Sequence, residues 1–528
     1  MNSIPKSGLW VAALVVTFIL SALLALVSYA PGLNLAALWH DPYYLHVTRF
    51  SFYQALLSTL LSVIPAIALA VALNRRQFIG KPLLIKLFSS TLVLPVLVGV
   101  FGLIAMYGRS GWLSRGLAIF DTELPFSLYG LNGILLAHVF FNLPYAARLF
   151  LHSLDTIPPE QDKLALHLGL TPWQRFRLVE WPRLRQQLPH VAGLVFMLCF
   201  TSFATVMALG GGPKATTIEL AIYQAIKFDF DLQSGALLAL WQILLCASLS
   251  LFIQGFAKPL PVVAQGMKEK LALFRDSRQA RWWDKSILVV SLLLILPPLF
   301  AVVLGGINSK LFDVLMQEHL WLAFANSLRV ALAASVLALV CGIAILTTSR
   351  AWRLVQANRK ADLIELSGTM ILVTPGLVVS TGLFLLLRSY TDVFSLAYWI
   401  VVWVNALMGL PYVIKTLHQP MWLLAKQYQQ LSISLGIIGW QRWCIVEWRA
   451  MKKPLAHAFV VSFLVAMGDL SAIALFGSQD FQTLPLYLYR LLGSYQMEAA
   501  AVVSLLMLSI CLGCFYIADK LFHIGEEN

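Results

Sequence analysis

Apolar stretches of about 20 residues recur along this chain, each long enough to cross a hydrocarbon core of about 30 Å as a helix. No other feature constrains the fold as strongly. Backbone placed in lipid must satisfy its own polar groups, so only helices or a closed barrel can span. The period-two alternation of barrel strands is absent, which leaves helices. About twelve spans are expected, centred near residues 20, 62, 95, 140, 199, 246, 296, 337, 375, 407, 465 and 510. Composition agrees. With 59% hydrophobic and only 12% charged residues, a soluble protein of 528 residues would have nowhere to hide its apolar surface. The expected fold class is an all-α polytopic membrane protein. Residues 9–30 are too long for a signal-peptide core, and the small-residue site at Ala30 is followed by Pro31, so they read as a retained first helix.

The net charge of +13 is explained by placement, and no nucleic-acid partner is expected. Basic residues cluster in alternate loops, among them Arg75, Arg76, Lys81 and Lys86, then Arg175, Arg177, Arg183 and Arg185, then 258–285. The pattern resumes at Arg350, Arg353, Arg359 and Lys360, and at Arg442, Arg449, Lys452 and Lys453. About twenty-nine Lys and Arg fall on that side and about eight on the other, so both termini are expected in the cytoplasm, against anionic lipid. The expected location is a bacterial inner membrane. The six cysteines make no disulfide framework; Cys511 and Cys514 share a helix and read as small packing residues. No metal-ligand cluster and no catalytic set is visible, and His138 reads as an interhelical hydrogen-bonding residue. The chain is expected to be no enzyme and to bind no cofactor or metal of its own.

A polar motif occurs twice. Leu168–Trp181 reads LGLTPWQRFRLVEW and Leu435–Trp448 reads LGIIGWQRWCIVEW, with eight of fourteen positions identical. Gly169 and Gly436 stand 267 residues apart, too far for a solenoid unit, so half a protein has been duplicated. Leu143-Pro144-Tyr145 repeats as Leu410-Pro411-Tyr412, Thr217–Tyr223 echoes Thr483–Tyr489, and Pro95 with Gly102 echoes Pro375 with Gly382. Each half holds about six helices, an even number, so the halves share orientation and are parallel repeats with a pathway expected between them. The expected division is residues 1–257, a cytoplasmic linker 258–285, and residues 286–528.

Both motifs lie in cytoplasmic loops, about 155–187 and 420–453. Pro158–Trp173 reads as a short amphipathic helix, Gly169 and Gly436 as tight turns, and the next membrane helices as starting near Leu188 and Leu455. Duplication of Trp173, Arg175, Glu180 and Trp181 as Trp440, Arg442, Glu447 and Trp448 points to a surface that something outside the chain grips. Glu180 and Glu447 are expected to pair within the loop with Arg175 and Arg442, as exposed pairs contributing about 0–1 kcal/mol each.

The loops resemble the EAA loop of binding-protein-dependent ABC importer permeases, whose pattern is Glu-Ala-Ala, three residues, Gly, nine residues, then Ile-x-Leu-Pro. Here the triplets are Lys163-Leu164-Ala165 and Gln430-Leu431-Ser432, and the second copy ends in Arg449 where the family has proline. Glycine and spacing hold. Arg49–Ile67, Leu136–Leu151, Phe196–Gln224 and Leu475–Tyr489 narrow the likeness: over nearly its whole length the chain resembles permeases of thiamine and thiamine pyrophosphate ABC importers. The resemblance implies a type I permease with fused halves standing in for a permease dimer. It also implies a periplasmic thiamine-binding protein and a cytoplasmic ABC ATPase in two copies, which uses ATP and Mg. A fused ferric-iron permease is the alternative within transport. An ion-coupled carrier is a further one, disfavoured by the scarcity of intramembrane ionisable residues. Gly210–Thr216, GGGPKAT, lacks phosphate-loop spacing and is expected to end the fifth helix and form an outer loop.

Asp469 stands out because it lies at membrane depth, where a carboxylate costs about 2.5–3.5 kcal/mol. Its repeat position is Ser202. Both are candidates for the translocation path, since thiamine carries a fixed positive charge. The alternative for Asp469 is a hydrogen-bonding role toward Ser471.

Overall fold

The structure is a computed structural model that describes residues 5–30, 35–91, 94–256, 277–437 and 439–523. In chain order its helices are α1 (Ser7–Tyr29), α2 (Leu35–His40), α3 (Pro42–Arg75), α4 (Lys81–Ser90), α5 (Val96–Tyr107) and α6 (Trp112–Ala118). Next come α7 (Leu131–Asp155), α8 (Pro159–His167), α9 (Pro172–Arg175), α10 (Trp181–Phe200), α11 (Phe203–Leu209), α12 (Ile218–Lys227) and α13 (Leu232–Phe256). The series continues with α14 (Arg278–Gly306), α15 (Leu311–Leu315), α16 (Glu318–Leu354), α17 (Asn358–Thr369), α18 (Gly376–Arg388) and α19 (Ala397–Ser434). It ends with α20 (Gly439–Arg442), α21 (Trp448–Gly468), α22 (Ser471–Phe476), α23 (Leu484–Gly493) and α24 (Met497–His523). Among the described residues there is no strand.

Among the described residues, ten helices are long and apolar enough to span a membrane, or up to twelve if two bent pairs each count as one span. One pair bends by 51° between α10 and α11, the other by 86° between α17 and α18. The second bend falls at Pro375, whose extended backbone and missing N–H start α18 afresh; Pro95 does the same for α5. Most of the expected linker, 258–276, lies outside the described residues. Its remainder is mostly helix, because the Ser277 side chain accepts from Ala280 N at 3.1 Å and caps α14.

The two runs of elements share an order. The short, largely buried helices α12 and α23 are fastened alike: Ser51 Oγ on α3 accepts from Ile218 N at 3.0 Å, and Ser327 Oγ on α16 accepts from Leu484 N at 2.7 Å. Each satisfies a helix-start amide that lipid could not. The first helix of each run packs on the opposite run, α1 against α16 and α18, and α14 against α3 and α5. Glycine permits this contact. A Cβ on Gly102 would come within 2.5 Å of the Pro298 carbonyl oxygen, and one on Gly382 within 2.4 Å of that of Ala22. On the motif side, Gly8 N donates to Thr348 Oγ1 at 3.1 Å, and Arg76 pairs with Asp284 at 2.6 Å.

Candidate coupling loops and translocation path

Pro158 and Pro159 end α7 and start α8, so the first motif begins as a separate short helix. The corresponding positions in the second copy are Ala425 and Lys426, good helix formers, and α19 runs through them to Ser434. The second loop is therefore the tail of a membrane helix, a difference the repeat conceals. Gly169 and Gly436 have φ of 62° and 66°, the left-handed turn expected of them. The membrane helices restart at Trp181 and Trp448, seven residues before the expected Leu188 and Leu455. Polar residues at these helix starts carry the chain inward before the apolar stretch begins.

Between turn and membrane helix each copy has one π-helical turn, Phe176–Glu180 and Trp443–Glu447. The Trp181 amide bonds to the Phe176 carbonyl, and the Trp448 amide to the Trp443 carbonyl, both five residues back. A turn of that width stacks residues i and i+5, which an α-helix would point apart. It brings Arg175 over Glu180 at 3.6 Å and Arg442 over Glu447 at 3.2 Å. These are not the surface pairs anticipated. Glu180 is 0% and Glu447 2% exposed, and the closer partners come from membrane helices. Arg75 on α3 reaches Glu180 Oε2 at 2.7 Å and Oε1 at 3.1 Å, and donates to Pro172 O at 3.0 Å. Arg350 on α16 donates to Glu447 Oε2 at 2.9 Å. Neither arginine stood out from its basic cluster in the sequence. Their recurrence 275 residues apart, at the ends of matching helices, was the available signal.

What remains outward is apolar. Trp173 is 69% exposed and stacks on Phe176, which in turn meets the half-buried Trp181; Leu164, Leu168 and Leu178 are exposed beside it. In the second copy Leu431, Leu435, Ile445 and Trp448 are exposed. The Trp440 side chain lies outside the described residues. Each loop thus presents a hydrophobic patch on a base ion-paired to a membrane helix.

Ser202 and Asp469 sit at equivalent breaks, where α10 gives way to α11 and α21 to α22. Ser202 Oγ lies 2.8 Å from His138 Nε2, and His138 Nδ1 lies 2.8 Å from Ser58 Oγ, so the histidine is the interhelical bridge expected. Asp469 accepts from Ser471 Oγ at 2.7 Å, Ser471 N at 3.2 Å and Ala472 N at 3.2 Å. It caps α22, the structural role weighed for it. GGGPKAT forms a loop after α11, with φ of 68° at Gly211 and 136° at Gly212.

Residues 56–259 match the family model described as binding-protein-dependent transport system inner membrane component. The chain is 49% identical over 517 residues to the thiamine transport system permease protein ThiP of Escherichia coli strain K12, covering 97% of this chain and 96% of that one. It is 41% identical to the protein of the same name from Haemophilus influenzae strain Rd, with 96% and 94% covered. The Brucella abortus strain 2308 protein of that name is 37% identical, with 98% and 95% covered. The fold and the duplicated loops define the class: this is an integral inner membrane permease of a binding-protein-dependent ABC importer, with the type I permease fold. Such a permease works with a substrate-binding protein and an ATPase. Within that class the chain belongs to the family of thiamine transport system permease proteins. The ferric-iron alternative is not favoured.

Proposed function

We propose that this chain is the transmembrane subunit of an ATP-driven importer that moves thiamine, and its phosphates, from periplasm to cytoplasm. The carrying observation is likeness along essentially the entire chain to permeases named for thiamine transport. A thiamine-binding protein delivers substrate from outside, and two copies of a cytoplasmic ATPase dock on the loops around Gly169 and Gly436. ATP and Mg are handled by that partner, and this chain carries no cofactor. Residues 1–257 and 286–528 act as the two halves of a permease, joined by 258–285, with both termini in the cytoplasm. The exposed Trp173 and Trp448 patches supply contact, and the Arg75–Glu180 and Arg350–Glu447 pairs pass the motion to α3 and α16. Uptake of radiolabelled thiamine by cells lacking and then regaining this chain tests the reading. Uptake should return with the chain and vanish again when the ATPase is deleted. Uptake indifferent to the chain sinks the substrate assignment, and uptake indifferent to the ATPase sinks the pump.

A further inference from the structure

A cavity of about 620 Å³ opens between the two halves, at the end of the molecule away from the coupling loops. Its walls come from α5, α6 and α11 of the first half and from α14, α23 and α24 of the second. Within that frame α5 packs against both α14 and α24. Gly130 N donates to Leu209 O at 2.7 Å on one side, and Asn308 Nδ2 to Glu498 O at 2.9 Å on the other. The 25 residues of α7, a helical rise of about 37 Å, separate the Tyr129 edge of the cavity from the first motif. With the ATPase on the motifs, the cavity is periplasmic.

The buried part of its wall is apolar, with Phe101, Ala301 and Ala501; the exposed part carries Arg109, Arg115 and Glu498. No ion pair or side-chain hydrogen bond to any described residue engages these three charged groups. Trp112, Tyr129 and Tyr495 add exposed aromatic faces. Tyr495 is held at φ 57°, which costs an ordinary side chain about 1–2 kcal/mol. Phe230 repeats that turn at φ 53°, so the aromatic belongs to the duplicated frame. The charges do not. At the 280-residue offset that pairs Pro95 with Pro375, the arginines fall on Ser389 and Ser395. At the 265-residue offset that pairs Phe230 with Tyr495, Glu498 falls on Gln233.

The volume lies within the roughly 300–1,000 Å³ of small-molecule sites, and an apolar wall with a few polar groups is their usual make-up. A ligand that uses every part of this wall needs an aromatic body, an anionic group for two arginines and a cation for one carboxylate. Thiamine pyrophosphate has all three: a pyrimidine ring, a diphosphate and a fixed thiazolium charge. We propose that the cavity is an outer station for thiamine pyrophosphate, with the diphosphate on Arg109 and Arg115, the thiazolium toward Glu498 and the pyrimidine against Trp112. This rests on the thiamine reading above and deepens it, because the arginines set how well the phosphorylated form is taken up relative to thiamine.

The test uses the complete importer with its ATPase and binding protein in proteoliposomes, and reads initial rates of ATP-driven uptake of radiolabelled thiamine and thiamine pyrophosphate separately. Arg109→Gln with Arg115→Gln should lower the ratio of pyrophosphate to thiamine uptake by about tenfold, the worth of a charge-assisted hydrogen bond. Arg109→Lys with Arg115→Lys, which keeps the charge, should hold the ratio within about threefold of wild type. An unchanged ratio in the glutamine double variant overturns the station, as does equal loss of both compounds. A phospholipid headgroup is the other source of phosphate for these arginines. Slowing of both compounds in vesicles containing phosphatidylglycerol, and of neither in phosphatidylcholine alone, would assign the arginines to lipid and overturn the station. If wild type imports neither compound, the thiamine reading itself falls; if it imports both and the ratio does not move, that reading stands and the station alone falls.

Discussion

At the scale of single residues, the decisive contacts of the coupling loops are buried charges. Stripping one partner from a buried pair generally costs about 3–5 kcal/mol, because the other ion stays behind without compensation. Arg75→Ala leaves Glu180, among the described residues, with Arg175 at 3.6 Å, so a loss toward the lower end of that range is expected. The purified permease should unfold at a lower temperature and retain less ATPase on co-purification. Arg75→Ala with Glu180→Gln should be milder than the sum of the singles, since the stranded carboxylate is gone. Strict additivity in thermal unfolding would show that the two side chains act independently. Glu180 and Arg175 were legible in the sequence through their duplication. Arg75 was not, because its partner is 105 residues away and only folding brings them together.

The element that matters most is the turn at Gly169 and Gly436. A Cβ on either glycine would meet nothing within 4 Å, so the demand is conformational: φ is positive and an ordinary side chain costs about 1–2 kcal/mol there. Proline, fixed near −65°, cannot adopt the turn at all. Gly169→Pro and Gly436→Pro should each insert into the membrane normally yet lose ATP-driven uptake, whereas Gly169→Asn, tolerant of the left-handed region, should keep most of it. Uptake at wild-type rate in both proline variants would refute the coupling role. The turn itself was readable from spacing. The π-helical turns were not, because no residue preference marks them; in the first copy the turn sets Arg175 over Glu180, whose carboxylate Arg75 of α3 also grips.

Across the whole molecule, the first helix of each half is held by the other half, through glycines too crowded for any side chain. Gly102→Ala would drive a methyl into the Pro298 carbonyl, and Gly382→Ala into that of Ala22. Overpacking of this kind costs about 1–3 kcal/mol. Both variants should unfold at lower temperature in detergent by similar amounts, given the matching geometry. A marked drop in one and none in the other would show that the two crossings differ in strength. The sequence paired these glycines by their spacing but did not indicate what they press against.

Length and apolarity of segments determined a helical membrane protein, and duplication determined two matching runs of elements with a polar loop motif in each. Those conclusions rest on properties local to a segment or repeated in it, which a linear chain displays. Tertiary structure alone decided that Glu180 and Glu447 are buried against α3 and α16, and that α1 and α14 cross to the opposite run. Each of these joins residues far apart in the chain, and their energies depend on burial and distance, which exist only once the helices have packed.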